Sequence, residues 1–367
     1  MSGSIIGKNF AISTWGESHG KALGVTVDGC PAGLPLVQED IQKDLDRRRP
    51  GQSPYQTPRR EADRVEIMSG VFQNKTTGSP ISMIVFNQDS QSRDYNHIKN
   101  TYRPGHSDYS YDIKYGFRDY RGGGRSSGRE TLARVAAGAV AKKILSALGI
   151  DILAYTLSIG NIFIDPDIFD AQEIYKNPLV MPDKGACLRA ENYLDQLKER
   201  GDSAGGTIEC IVTGLPAGVG EPVFQKLDSS LSGSIFSIGA VKGIEFGSGF
   251  AASELRGSQN NDPFELDSKG IIVKKTNNAG GILGGISDGS PIVFRVALKP
   301  TPSISLPQET VDKEKKENIK INIRGRHDPT IVPRAVVVVE AMTAITLVDL
   351  LFQRLLSNMD LIKKALL

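Results

Sequence analysis

The chain has 367 residues, of which 39% are hydrophobic and 23% charged, a composition that builds a packed core and excludes a disordered protein. Lys and Arg number 44 against 42 Asp and Glu, for a net charge of +2. That balance excludes a polyanion binder resting on bulk charge, and with it general nucleic-acid binding.

In chain order, Met1 to Phe10 has no apolar run long enough for a secretory signal. A strand is predicted over Ala22–Val27. A helix follows over Gln38–Arg48 and stops before Pro50-Gly51. Strands are predicted over Val65–Met68 and Ile81–Phe86. Residues 128 to 148 carry a helical stripe of Leu132, Val135, Ala136, Ala139, Val140, Ile144 and Leu148. The stretch from 160 to 200 mixes Asp-Pro, Lys and Glu and reads as surface helix and loop. Strands are predicted over Thr207–Val212, Val241–Phe246 and Ile292–Leu298. Residues 301 to 320, rich in Pro, Lys and Glu, read as a solvated connection. Ala335–Val339 reads as a strand, and 341 to 356 as a helix through Ala344, Leu347, Val348, Leu351 and Leu355. No stretch approaches the roughly 20 apolar residues of a membrane helix, so no membrane partner is expected. Cys30, Cys187 and Cys210 show no CxxC spacing and are odd in number. They predict neither a disulfide framework nor a metal site, and place the protein in a reducing cytoplasm.

The two halves echo each other. Gly29-Cys30-Pro31-Ala32-Gly33 and Gly214-Leu215-Pro216-Ala217-Gly218 each follow a strand and precede a helix. Gly78-Ser79-Pro80-Ile81 and Gly289-Ser290-Pro291-Ile292 each open a strand. The second pair lies farther apart in sequence than the first, which requires an insertion in the second half. With no linker between the halves, at about 1–150 and 200–350, a single α/β body is expected.

Three of the four histidines sit among small or turn-forming residues: His19 in Gly16 to Gly20, His106 in Arg103 to Asp108, and His327 in Gly325 to Pro329. Such settings expose an imidazole, which titrates near neutrality and can move protons. The run from Arg121 to Thr131 joins Gly122-Gly123-Gly124 to Arg125, Ser126, Ser127 and Arg129 at the start of a helix. Backbone N–H groups, the helix dipole and guanidinium groups together suit an anion. Ser127 and Glu130 have capping-box spacing. Neither GxxxxGK[ST] nor GxGxxG is present.

These stretches, with Asp44 to Ser53, Asn277 to Gly289 and Lys299 to Ser303, resemble chorismate synthases, in order along nearly the whole chain. The resemblance implies an α/β sandwich of two pseudo-symmetric halves. It implies a carbon–oxygen lyase that converts 5-enolpyruvylshikimate 3-phosphate to chorismate by anti-1,4-elimination, in aromatic amino acid biosynthesis. It also implies reduced FMN as cofactor, NADPH only where a flavin reductase activity is present, and a homotetramer.

By the same resemblance, His106 protonates or holds the flavin and His19 assists departure of phosphate. Asp328 relays the ring proton, with Ser18 and Ser127 as hydroxyl partners. Arg125, Ser126, Ser127, Gly239, Ala240, Gly284, Lys299, Pro300, Thr301, Pro302, Ser303 and Arg326 match flavin-binding positions. Arg48 and Arg129 match arginines that hold substrate or NADP. The chain departs from the family pattern at Pro54, Gly128 and Pro302. Two other classes compete on the residues alone: a noncatalytic phosphate- or nucleotide-binding protein, and an RNA binder using the RGGGR segment.

Overall fold

The structure, a computed structural model, describes residues 3–57, 61–88, 99–323 and 328–367. The first half runs β1 (Ile5–Ile6), β2 (Ala11–Gly16), β3 (Ala22–Asp28), α1 (Gln38–Arg48), β4 (Val65–Ile67), the hairpin β5–β6 (Val71–Phe72 and Lys75–Thr76), β7 (Ile81–Phe86), α2 (Asp108–Tyr115) and α3 (Thr131–Ala147). The second runs β8 (Asp151–Ile159), β9 (Ile162–Phe163), α4 (Lys184–Arg200), β10 (Gly206–Thr213), α5 (Leu227–Phe236) and β11 (Val241–Phe246). It continues with the single turn α6 (Gly257–Asn260) and the hairpins β12–β13 (Phe264–Leu266 and Ile272–Lys274) and β14–β15 (Ile282–Leu283 and Ile286–Ser287). β16 (Ile292–Leu298), the hairpin β17–β18 (Gln308–Asp312 and Glu317–Ile321), α7 (Val332–Arg354) and α8 (Met359–Leu366) complete it.

Each half builds one antiparallel five-stranded sheet. The orders are β1-β2-β3-β7-β4 and β9-β8-β10-β16-β11, so equivalent strands occupy equivalent places. The equivalence extends to single hydrogen bonds. Gly33 N–H donates to Thr76 O, and Thr76 Oγ1 donates to Pro31 O at 2.6 Å. In the second half Gly218 N–H donates to Ser287 O, and Ser287 Oγ to Pro216 O at 2.7 Å. Gly29 and Gly214 have φ of 83° and 77°, and at each a Cβ would strike the main chain of an adjacent segment, so only glycine fits. The main insertion falls between β11 and β14, where 247–281 stand in place of 68–70 in the first half. A second excursion, 160–205, joins β8 to β10 where five residues join β2 to β3.

α3 and α7 lie between the sheets. α3 packs on β3 and on α7, and α7 packs on β8, β10 and α5. Gly138 of α3 lets the two helices touch, since a Cβ there would overlap Ala341. α7 is buried on nearly every side, from Val332 to Leu351, and this corrects the strand expected over Ala335–Val339. Val336 to Val339 favour strands by propensity, yet a helix that is apolar all round belongs in a core. At 23 residues α7 is also long and apolar enough to cross a membrane, contrary to the sequence expectation, but it is the buried centre of the sandwich. The solvated connection at 301–320 contains most of the β17–β18 hairpin.

Candidate active site

The turn bearing His106 is built by a clamp. Arg103 donates through Nε and Nη2 to the two Asp108 oxygens at 2.8 and 2.7 Å, and its main-chain N–H adds 3.0 Å. Burial raises the Asp108 pKa, but the Arg103 hydrogen bonds outweigh it and hold the carboxyl below its ordinary range. Within this turn Gly105 has φ of 71°. A Cβ there would stand 2.7 Å from Pro302 Cβ, so Pro302, a departure from the family pattern, packs directly on the histidine turn. Lys299 Nζ donates to Gly105 O at 2.6 Å, and His106 Nε2 lies 2.8 Å from Ser303 Oγ. Motifs about 197 residues apart in sequence thereby form one wall.

The glycine-rich loop forms the next wall. Ser126 Oγ lies 2.7 Å from Ser107 Oγ, beside His106, and donates to Gly123 O at 2.6 Å. Gly122 has φ of 147°, and a Cβ there would stand 2.5 Å from the His19 ring and 3.2 Å from Ser18 Oγ. Ser18 is buried, and its hydroxyl has no hydrogen-bond partner among the described residues. His19, Ser18, Ser126, Ser127 and His106 thus share one locale.

The capping box at Ser127 and Glu130 forms only by half. Ser127 Oγ accepts Arg129 N–H at 3.3 Å, at the start of a 3-10 turn that precedes α3. Glu130 turns away, accepting from Thr14 Oγ1 at 2.9 Å and from Arg134 Nε at 2.7 Å. Arg125 also turns inward. It donates to Gly16 O and Thr14 O at 3.1 Å and to Thr14 Oγ1 at 2.7 Å, so its charge ties the loop to the end of β2.

Arg48 and Arg129 are buried. Arg48 Nη2 meets Asp63 Oδ2 at 3.1 Å, and Arg129 Nη1 meets Asp63 Oδ1 at 2.8 Å. Arg129 also pairs with Glu61 at 3.4 Å. The free cations expected from the sequence are therefore partnered. Burial opposes ionisation of Asp63, but Arg48 and Arg129 prevail and lower its pKa. Asp328 lies against this cluster, accepting Thr57 N–H at 2.8 Å and Arg334 Nη1 at 3.3 Å. Sequence reading missed Asp63, Thr57, Ser107 and Arg334. None left a local signal: the charge of Arg334 stands out only at the start of a helix, and the sequence reads the residues after it as a strand.

Ala240 holds φ of 74°, and its carbonyl accepts Lys299 N–H at 2.9 Å. Gly239 and Ala240 therefore flank Lys299 to Ser303. Burial, with Lys242 nearby, pushes the Lys299 pKa down. Gly284 lies elsewhere: it turns the β14–β15 hairpin at the N-terminal end of α5, while Gly239 follows that helix's C-terminal end. Ten residues of helix separate the two by about 15 Å. Arg326 and His327 lie outside the described residues.

The comparisons with known proteins agree with one another. A family model described as chorismate synthase matches residues 10–352. The chain is 60% identical over 364 residues to the chorismate synthase of Lachnoclostridium phytofermentans, covering 99% of each. It is 56% identical over 351 residues to that of Methanosarcina acetivorans, covering 95% of this chain and 96% of the other. A crystal structure of chorismate synthase superposes with a TM-score of 0.77 at 35% identity, covering 98% of this chain and 97% of that one.

Proposed function

The chain belongs to the chorismate synthase family, and we propose that the residues around His106 and His19 run the elimination on 5-enolpyruvylshikimate 3-phosphate. Phosphate and a ring hydrogen leave from opposite faces, and chorismate results. On this reading the protein is a carbon–oxygen lyase of aromatic amino acid biosynthesis in the cytoplasm. The observation that carries the reading is the contact of His106 with Ser303, which joins an acid–base group to the Lys299–Ser303 segment. A noncatalytic binder has no use for the imidazoles of His19 and His106 in turns, and the relatives give that alternative no support.

Reduced FMN is the cofactor in this proposal, and the residues present fit it. Thr301 Oγ1 is buried with no hydrogen-bond partner among the described residues. Gly239 has open space where a Cβ would stand. Lys299 supplies a cation beside both. Lys299 to Ser303, Gly239, Ala240 and the main chain of Arg125 to Ser127 would hold the cofactor. When bound there, a reduced flavin would supply electron density for an elimination with no net redox change.

The chain's own groups divide the remaining work. His106 holds a proton at Nε2 in exchange with Ser303 Oγ. His19 hands a proton to the departing phosphate, its ring held against Gly122. Asp328 accepts the ring proton, aimed by Thr57 N–H and Arg334. Arg48 and Arg129 meet the substrate's anionic groups, exchanging part of their hold on Asp63 for it. Positioned acid–base groups of this kind contribute about 100- to 10,000-fold.

NADPH enters this scheme only if the chain also reduces flavin. A homotetramer fits the apolar side chains Phe264, Leu266, Ile271 and Ile272, each more than half exposed on one hairpin. The test of the reading is anaerobic turnover with substoichiometric reduced FMN. Many equivalents of phosphate released per flavin are expected. Product limited to one equivalent would sink it.

A further inference from the structure

Arg334 stands in the first turn of α7, directly after Pro333. The start of a helix carries partial positive charge, so a cation there is disfavoured unless something pairs it. Two groups do. Arg334 Nη1 donates to the Asp328 oxygens at 3.3 and 3.4 Å, and Nε donates to the main-chain carbonyl of Arg48 at 3.1 Å. The two side chains are only 17% and 16% exposed.

Those acceptors come from two segments far apart in sequence. Arg48 ends α1, and its own guanidinium points to Asp63 and to the carbonyls of Gly128 and Arg129. Asp328 precedes α7 and is otherwise held by Thr57 N–H. A guanidinium is a planar fork that fixes two acceptors at a set separation, which a lysine ammonium cannot reproduce. α7 grips α1 a second time, where Glu340 takes two hydrogen bonds from Arg47 at 2.6 and 2.8 Å. Only the Arg334 grip includes Asp328.

We propose that Arg334 is a positioning residue for the elimination: its guanidinium spans the Asp328 carboxylate and the Arg48 carbonyl, and so sets the proton acceptor relative to the substrate-binding arginine. The inference rests on the roles given above to Asp328 and Arg48. Arg334 acts through them and touches no substrate itself. Misplacement of a catalytic group by about 1 Å costs roughly 100-fold in rate.

The experiment is a double-mutant cycle on the flavin-loaded enzyme, with Arg334→Gln, Asp328→Asn, the pair together, and Arg334→Lys. Arg334→Gln is expected to lower kcat about 10- to 100-fold with the substrate KM nearly unchanged, the signature of an interaction that serves the transition state. The double variant should be no slower than Asp328→Asn, because Arg334 works through that carboxylate. Arg334→Lys keeps the charge but loses the fork, and should stay close to the Gln variant. Losses that multiply in the double variant would overturn the inference and leave Arg334 a structural residue. Arg334→Gln at the wild-type rate beside a slow Asp328→Asn would overturn it alone. Asp328→Asn at the wild-type rate would overturn the role of Asp328, and the inference with it. Should Arg334→Gln fail to fold, the Lys variant decides: full turnover there sinks the proposal.

Discussion

The two halves have one topology and different uses. In the first, β2 and β3 are joined by the short turn that carries Ser18 and His19; in the second, the equivalent β8 and β10 are joined by 160–205, which contains α4. α1 buries Asp44 and Arg48 among its apolar residues, whereas its counterpart α5 buries Leu227, Leu231, Ser234 and Ile235 and no charge. α3 starts in the glycine-arginine loop, and its counterpart α7 is an apolar core rod. On the proposed reading, the duplicated frame lends one copy's loops to chemistry while the other copy supplies the support. The division is incomplete, because Ser303, Lys299 and Asp328 come from the second half.

His106→Ala tests that division most severely. If the first half carries the chemistry, turnover should fall about 100- to 10,000-fold, while circular dichroism and melting remain close to wild type. His106 is only half-buried in a turn whose shape is set by the Arg103–Asp108 clamp, not by the imidazole. An unfolded variant would make His106 part of the frame. Ser303→Ala, on the supporting half, should cost less turnover than His106→Ala.

Arg129→Ala and Glu340→Ala compare buried charge in the two halves. Arg129 is 5% exposed against Asp63 and Glu61, both fully buried. Removing it leaves Asp63 to Arg48 alone and takes the ion pair from Glu61, which keeps Gln88 N–H, and breaking a buried pair costs up to about 3–5 kcal/mol. Glu340 is buried in α7, but its partners Arg47 and Lys142 are 24% and 22% exposed, so they can turn towards water and Asp44. Urea unfolding should therefore show the larger loss for Arg129→Ala, and its turnover should fall as well. The carboxyls give a sign for acid. Burial raises the pKa of Asp63 and of Glu340, but their cationic partners outweigh it and leave both below their unfolded values of 3.8 and 4.5. Their contribution to stability is complete above those values and lost as pH falls through the depressed ones. Equal losses for the two variants would erase the distinction between the halves.

What the sequence made legible follows the range of the interactions. α1 was bounded correctly because its stop is written beside it, in Pro50-Gly51. The doubled Gly-x-Pro-Ala-Gly turns were legible because a positive φ and a close main-chain approach admit glycine alone. α7 was misread at Val336 to Val339, where a β-branched run without polar punctuation fits a strand or a buried helix equally well. The histidine and serine motifs were found because each is local. Asp63 was not, because it lies 15 residues from Arg48 and 66 from Arg129, and no local pattern announces a carboxylate folded back onto two arginines. That pairing is why the arginines read from the sequence as open cations.

Ser127→Ala is the smallest effect and sharpens the comparison at its finest point. Ser127 caps the 3-10 turn before α3 through a 3.3 Å bond from Arg129 N–H. The second copy has a similar contact: Thr330 Oγ1 accepts Val332 N–H at 3.4 Å where α7 begins, although Ile331 at the N-cap itself makes no side-chain cap bond. A hydroxyl just before the helix is therefore common to both copies, so only a loss of turnover beyond the loss of stability sets Ser127 apart. A lost N-cap costs about 0.5–2 kcal/mol, and a bond this long, without its Glu130 partner, belongs at the low end. Melting curves should shift little. Turnover should fall further than stability, because Ser127 follows Ser126, which bonds Ser107 beside His106. Paired melting and turnover measurements separate the two contributions. A variant that melts slightly earlier and turns over at the wild-type rate would return Ser127 to the frame, and the proton path would end at Ser18 and His19.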